Sequence, residues 1–254
     1  MTPIWRVAVR ARGDDAEPLR ARLLVLASAG IEELDTDDGV ELAVYLDDDG
    51  VERVLRALPE ARVSLVDEGW EDAWRRFHRP VEVGGLWIGP PWERPPDPGR
   101  AIVIDPGRAF GTGSHPTTQL CVELLATTPA TGSLLDVGCG SGVLAIAAAR
   151  LGFHPVTGVD IGPVAVETTL ANAAANGVVV GGAVGDALTG VLPPADVAAV
   201  NVLLRPVEAI LARLDAREAI TSGYLAGEEP AHPGWDRVEA LERDGWVAHR
   251  FRRT

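Results

Sequence analysis

The sequence predicts an α/β protein. It is read as a doubly wound, Rossmann-like parallel sheet closed by a C-terminal antiparallel hairpin, preceded by a small ferredoxin-like α+β domain. Three observations carry this. From residue 101 onward, apolar strand-like runs alternate with helical stretches, the pattern of a parallel sheet with covering helices. Residues 133–152 read as a buried strand, a glycine loop and a helix in succession. The first 66 residues follow a β-α-β-β-α-β order, which is that of a split βαβ unit.

Taken in order, Ile4 to Val9 reads as a strand and Glu17 to Ala29 as a helix stopped by Gly30. Ile31 to Thr36 and Val40 to Leu46 read as strands joined by a turn at Asp37-Asp38-Gly39. Val51 to Leu58 is a second helix, with Asp47, Asp48 and Asp49 at its start, where the helix dipole favours negative charge. Val63 to Val66 makes a further strand. In residues 67–80 Trp70, Trp74 and Phe77 share one helical face, as in a connecting helix that packs between domains. Two short strand-like runs and the proline-dense PPWERPPDPGR follow, marking a boundary.

AIVID at 101–105 is a strand leading into a glycine-bearing loop, Phe110-Gly111-Thr112-Gly113, and a helix that Thr117 or Thr118 would cap. Ser133 to Val137, Val156 to Asp160, Val178 to Val184 and Val197 to Val202 are the strands that follow. Pro163 opens one intervening helix and Asn176-Gly177 stops it. A helix at 206–214, a strand at 219–223 and a hairpin turned at Asp244-Gly245 complete the chain. The expected organisation is a small domain over 1–66, either a plain structural unit or a partner-recognition module, a linker helix and connecting segment over 67–100, and the larger α/β domain over 101–254.

Composition narrows the function classes. The chain has 254 residues, 46% of them hydrophobic, enough for a packed core. Its net charge is −14 and it contains no lysine, so all 23 strongly basic side chains are arginine. An acidic surface repels a nucleic-acid backbone; the expectation is no direct nucleic-acid substrate and either a basic protein partner or a merely solubilising surface. Two cysteines, Cys121 and Cys139, imply no disulfide framework. No run reaches membrane length and the N-terminus lacks a signal-peptide core, so a cytoplasmic location is expected. His, Cys and carboxylates show no zinc-like spacing.

The chemistry concentrates in Gly138-Cys139-Gly140-Ser141-Gly142. Glycine lets backbone approach a ligand with no Cβ in the way. The dinucleotide fingerprint needs its third glycine one position later, where Val143 stands, and no Lys-Ser or Lys-Thr follows as in a P-loop. G-x-G-x-G after an Asp-ended apolar strand looks like the first motif of S-adenosylmethionine-dependent methyltransferases; the loop is otherwise a bare glycine turn. About 20 residues on, Asp160 ends the next strand, placed either to accept the ribose hydroxyls or to cap the following helix. Asp186 ends the strand after that, for the adenine amino group or as a local cap. Asn201 ends the fourth strand, where it can accept from a substrate amine or serve only a turn. His115 reads as a base or as a hydrogen-bonded structural residue, and Cys139 as a filler.

These residues together resemble one family: the ribosomal protein L-eleven methyltransferases (PrmA). The match lies in DPGRAFGTGSHPTT at 105–118, LDVGCGSGVLAIAAARLG at 135–152, GVDIGPVAVETTLANAAANGV at 158–178 and the Asn201 strand end; the linker WEDAWRRFHRP is also similar. The resemblance implies a small domain that recognises the ribosomal protein. The larger domain would then transfer methyl groups from S-adenosylmethionine to its amino groups, lysine side chains and N-terminus. By motif position, Thr118, Gly138, Gly140, Gly142, Asp160, Asp186 and Asn201 would bind the cofactor, while Phe110 and Thr112 would line the methyl-transfer pocket with Asn201. Gly162 replaces an acidic residue common in the family, and Val-Leu-Leu-Arg-Pro after Asn201 is bulkier than usual. A monomer is expected. The rival readings are an amine methyltransferase of the same fold with another target, a catalytically silent cofactor-binding relative, and a nicotinamide oxidoreductase, which Val143 disfavours.

Overall fold

The computed structural model describes residues 4–12, 15, 19–20, 22–23, 26, 32–36, 39–66, 79–105 and 111–254. The expected helix at 17–29 falls largely outside them, as do residues 67–78 of the connecting helix and Phe110. The chain divides into two compact units, Met1–Phe77 and His78–Thr254.

In the first unit, β1 (Trp5–Ala11), β2 (Glu32–Thr36), β3 (Gly39–Leu46) and β4 (Arg62–Leu65) form an antiparallel sheet in the order β2-β3-β1-β4. Helix α1 (Asp48–Ala57) starts earlier than its apolar residues suggest, because Asp47 is its N-cap and accepts from the Gly50 amide at 2.9 Å. The acidic run thus sits at and inside the first turn, where four backbone donors lack partners. Val7, Val9, Leu42, Val44, Val54 and Leu58 make this unit's core.

The second unit opens with β5 (Val81–Val83), β6 (Leu86–Gly89) and β7 (Ala101–Val103), a three-stranded sheet of its own. Residues 81–100 were expected as connecting segment; instead Val83, Leu86 and Ile88 enter the main core of this unit. Then come α2 (Pro116–Thr127), β8 (Leu134–Val137), α3 (Val143–Leu151), β9 (Val156–Asp160), α4 (Pro163–Ala175), β10 (Gly181–Val184), β11 (Ala195–Asn201), α5 (Leu204–Leu211), β12 (Ala216–Leu225), β13 (Trp235–Arg243) and β14 (Trp246–Arg253). Their sheet runs β10-β9-β8-β11-β12-β14-β13. The first five strands in that order are parallel, and β14 and β13 are antiparallel to their neighbours. The turn between β13 and β14 holds Asp244 and Gly245 at φ 50° and 78°, the left-handed pair of a two-residue hairpin.

Strand order reverses at β8: β9 and β10 lie to one side of it and β11 to the other. Ligands of open α/β sheets bind at the carboxyl ends of strands flanking such a reversal. All four β8 residues are buried, with Leu134 in the core on one face and Leu135 in the core on the other. Burying each leucine is worth roughly 1.5–3 kcal/mol, so the strand that launches the glycine loop is held far more firmly than any single ligand contact. Helix α3 is apolar all round, with Val143 to Ala148 all buried, as a helix between two layers must be. Helix α4 carries a polar stripe instead. Its Asn172 donates to the Ser141 carbonyl at 2.8 Å, and Asn176, the residue closing the helix, pairs its carboxamide with both the N–H and the C=O of Val103 at 2.8 and 2.7 Å.

Candidate active site

Three strand ends meet at the reversal. Val137 of β8 runs into the glycine loop, Asp160 ends β9 and Asn201 ends β11. Gly138, Gly140 and Gly142 have φ of 76°, 52° and 83°, a left-handed backbone that side chains rarely tolerate. At Gly142 a Cβ would also lie 2.9 Å from the Thr169 backbone. The loop's donors are mostly spent internally. The Gly138 and Cys139 amides donate to the Val159 carbonyl, and Gly142 to Cys139, at 2.7–3.1 Å. What the glycines offer a ligand is therefore bare backbone surface more than free N–H groups.

Helix α4 pins this loop from behind. Thr169 donates to the Gly140 carbonyl at 3.1 Å and Asn172 to that of Ser141. The Ser141 hydroxyl in turn donates to the Gly111 carbonyl, joining the glycine loop to the 111–118 loop. Cys139 is the filler its sequence context suggests. Burial and the nearby Asp136 push its thiol up to about 12, so it stays a neutral thiol at physiological pH.

Asp160 is half-buried; one carboxylate oxygen accepts from the Gly140 amide at 3.1 Å and the other from Gly162 at 2.9 Å. The carboxylate thus braces the glycine loop against the turn that precedes α4 and does not cap that helix, whose N-cap is Gly162 with no side-chain bond; each oxygen keeps a lone pair for a further donor. Asp136 is 1% exposed and accepts from the Ala145 amide at 3.0 Å. Burial, aided by the Asp160 charge and opposed by that hydrogen bond, pushes its carboxyl up to about 7. The half-buried Asp160 carboxylate beside the glycine loop suits a cationic ligand and repels a pyrophosphate. The exposed apolar side chains Ile161 and Leu203 follow the ends of β9 and β11, as cover for a flat ring would. The residues present therefore fit S-adenosylmethionine, whose sulfonium and amine are positive.

Asp186 adopts the local cap: its carboxylate accepts from the Leu188 amide and the Thr189 hydroxyl, both at 2.8 Å. Those bonds, the Leu188 amide foremost, hold it below the usual carboxylate range. Asn201 donates from Nδ2 to the Thr118 hydroxyl at 3.3 Å, so two residues 83 positions apart in sequence meet. The Thr112 hydroxyl bonds that of Ser114 at 2.8 Å. Helix α2 is capped by His115, neither by Thr117 nor by Thr118, because Pro116 fixes the first helical position. The His115 Nδ1 faces the Thr117 hydroxyl at 2.8 Å, and its ring stands edge-on to Trp246 with centroids 4.9 Å apart. That is the structural alternative for this histidine. No group of three or more metal-ligating side chains occurs among the described residues.

Residues 22–254 match the family model described as ribosomal protein L11 methyltransferase (PrmA). The chain belongs to this family. S-adenosylmethionine is its cofactor. A ribosomal protein L11 methyltransferase of Azotobacter vinelandii is 42% identical over 220 residues, covering 77% of this chain and 73% of that one. One from Dechloromonas aromatica is 45% identical over 150 residues, 58% of this chain and 50% of its own. The crystal structure of a ribosomal protein L11 methylase from Lactobacillus delbrueckii subsp. bulgaricus superposes with a TM-score of 0.60 at 28% identity, covering 66% of this chain and 95% of that chain. The matched span includes every predicted site residue from Phe110 to Asn201.

Sequence reasoning did not single out Thr169 and Asn172, which pin the glycine loop, Asp136, which is buried on the strand leading into it, or Asn176, which ties α4 to β7. The three α4 residues lie at i, i+3 and i+7 within a helix the sequence already predicts, so a buried polar stripe was available to be read. Among the described residues no helix is long and apolar enough to cross a membrane.

Proposed function

We propose that this chain methylates amino groups, lysine side chains and the N-terminus, of a large-subunit ribosomal protein. The observation that carries the reading is Asn201 at the end of β11, its amide nitrogen turned to Thr118 and its carbonyl oxygen left to accept from a substrate amine. When bound, S-adenosylmethionine supplies a methyl group activated on a cationic sulfur. The protein's part is positioning, the main device for an in-line displacement. Asp160 accepts the ribose hydroxyls. Gly138, Gly140, Gly142 and Thr118 border the cofactor, Asp186 approaches the adenine edge, and Phe110 and Thr112 line the transfer pocket.

Only a neutral amine has a lone pair to attack. Lysine has an ordinary pKa of about 10.4, so roughly one in 10³ is neutral near pH 7.4. Asn201 carries no charge. It can therefore orient the nitrogen without holding a proton on it, as a carboxylate would. The nitrogen would gain the methyl as the methyl–sulfur bond breaks, the bonding pair leaving on a then neutral sulfur, and would lose its proton to solvent.

The first unit is proposed as the recognition module. Its β2-β3-β1-β4 order with antiparallel pairing supports the ferredoxin-like reading, and the sheet carries no catalytic cluster among the described residues. The net charge of −14 supports a basic protein partner over direct nucleic-acid contact. We take the working enzyme to be a cytoplasmic monomer.

The test is a mass spectrum of ribosomal protein L11 incubated with enzyme and S-adenosylmethionine. Successive methyl increments on its lysines and N-terminus are expected. Because the chain itself has no lysine, any methyl-lysine in the mixture belongs to the substrate. A substrate that gains no methyl under conditions where the enzyme binds cofactor refutes the reading.

A further inference from the structure

The hairpin β13–β14 is far from the glycine loop in sequence, and nothing in the cofactor chemistry requires it. Yet the two residues flanking its turn reach α2 and the segment that precedes it. From the end of β13, Arg243 donates to the Gln119 side-chain oxygen at 2.8 Å and to Glu123 at 2.9 Å. From the start of β14, Trp246 presents its ring to His115. Gln119 passes the contact on: its amide nitrogen donates to the Ser114 carbonyl at 2.6 Å. The Ser114 hydroxyl bonds that of Thr112. At the other end of the same segment, Asn201 holds Thr118. The 112–118 segment is thus held at Thr118 by the end of β11 and at Ser114 and His115 by way of the hairpin.

The residue types match this task. Gln119 must accept from a guanidinium and donate to a carbonyl at the same time, which a carboxamide does and a carboxylate cannot. Arg243 must engage two acceptors on one helix face, one turn apart, which suits a planar fork of donors better than a single ammonium. Trp246 and Arg243 act on neighbouring residues from the two strands of one tight turn. The hairpin therefore holds the loop at two points, which resists rotation as well as translation.

We propose that Arg243 and Gln119 are positioning residues for methyl transfer, setting the target-side loop around Thr112 through Ser114. The proposal rests on the amine-methyltransferase reading above. It assigns the C-terminal hairpin a role in turnover, with no role in holding the cofactor.

Gln119→Glu separates the two roles of the side chain. It keeps the Arg243 partner and strengthens it by charge, but turns an acceptor toward the Ser114 carbonyl. Arg243→Ala removes the hairpin's grip, and Arg243→Lys restores one of its two bonds. Three readouts on the full chain distinguish positioning from general support: S-adenosylmethionine affinity by calorimetry, steady-state kcat and KM on the ribosomal protein, and hydrogen exchange of the peptide spanning 111–120 in the free enzyme. In Gln119→Glu and Arg243→Ala, kcat is expected to fall about 5- to 50-fold. Cofactor Kd should stay within about threefold, and exchange in 111–120 should quicken. Arg243→Lys should recover part of kcat. Wild-type kcat and wild-type exchange in both variants overturn the proposal. So does a kcat loss matched by an equal loss of cofactor affinity, which marks a merely structural residue. If the wild-type protein methylates nothing, the functional reading fails instead, and the exchange measurement still decides whether the hairpin holds the loop.

Discussion

Asp136 makes the stability of this protein depend on pH in an unusual direction. The carboxyl is almost fully buried beneath the glycine loop and is pushed up to about 7 from an ordinary 3.8. Below about 4 it is protonated in folded and unfolded chains alike, and its contribution is fully present. Between about 4 and 7 the folded chain keeps a proton that the unfolded chain releases. Stability from this group therefore declines as pH rises through that window and levels off above it. At about 1.4 kcal/mol per tenfold, the full swing between 3.8 and about 7 is about 4 kcal/mol. Asp136→Asn keeps an oxygen for the Ala145 amide and removes the ionisation. Denaturant unfolding of both proteins at pH 4.5 and pH 8 is the assay. Subtracting mutant from wild type cancels every other carboxylate in this acidic chain. The difference is expected to move in the mutant's favour by about 2–4 kcal/mol between the two pH values. Cofactor affinity should show the opposite trend, with the mutant binding about tenfold more weakly at pH 8 and nearly normally at pH 5.5, because only the ionised carboxyl attracts a cation. A stability difference that stays constant with pH would refute the burial argument.

Three further outcomes are expected. Asp160→Ala should weaken S-adenosylmethionine binding roughly tenfold to several-hundredfold, since hydrogen bonds to a charged group are worth about 1.5–3 kcal/mol each; calorimetry on folded mutant with unchanged affinity removes Asp160 from the ribose. Asn201→Ala should cut turnover by on the order of 10²-fold and Asn201→Asp should not restore it, while the wild-type rate on lysine rises through neutral pH. Near-normal turnover in the alanine variant at saturating substrates leaves Asn201 a cofactor contact at most. A fragment beginning near Val81 should bind cofactor and lose activity on the intact ribosomal protein. Full activity in that fragment shows that the first unit is not the recognition module.

Much of the architecture was legible because the relevant signals are local. The glycine loop, the strand-end aspartates and the Asn201 strand end sit where apolar runs stop, and the alternation of elements dictates a parallel sheet whose carboxyl ends converge. Boundaries were less legible where capping overrides hydrophobicity. α1 begins at Asp48, ahead of its first apolar residue, because an aspartate cap outweighs the pattern. α2 is capped by His115, a weaker capping type that Pro116 selects by position. β7 ends at Val103 although AIVID continues apolar through Ile104. What was not legible at all is long-range: Arg243 on Gln119 spans 124 positions, and no periodicity announces such a pair. Asp136 was visible as a strand-end acid, but its burial depends on three layers of fold that no local window contains.

The pairing of Asn176 with Val103 reaches beyond the site. β7 is an edge of its small sheet, and an edge strand with open backbone groups invites pairing with a strand from another molecule. The Asn176 carboxamide offers Val103 one donor and one acceptor, the same pair that a neighbouring strand would present. A side chain at the end of α4 thus imitates a ladder partner and closes the edge with two atoms. The device works only once α4 has docked, so the edge is open in partly folded chains and shut in finished ones. Pairing through this one edge should therefore be a hazard of chains in which that helix has not yet docked.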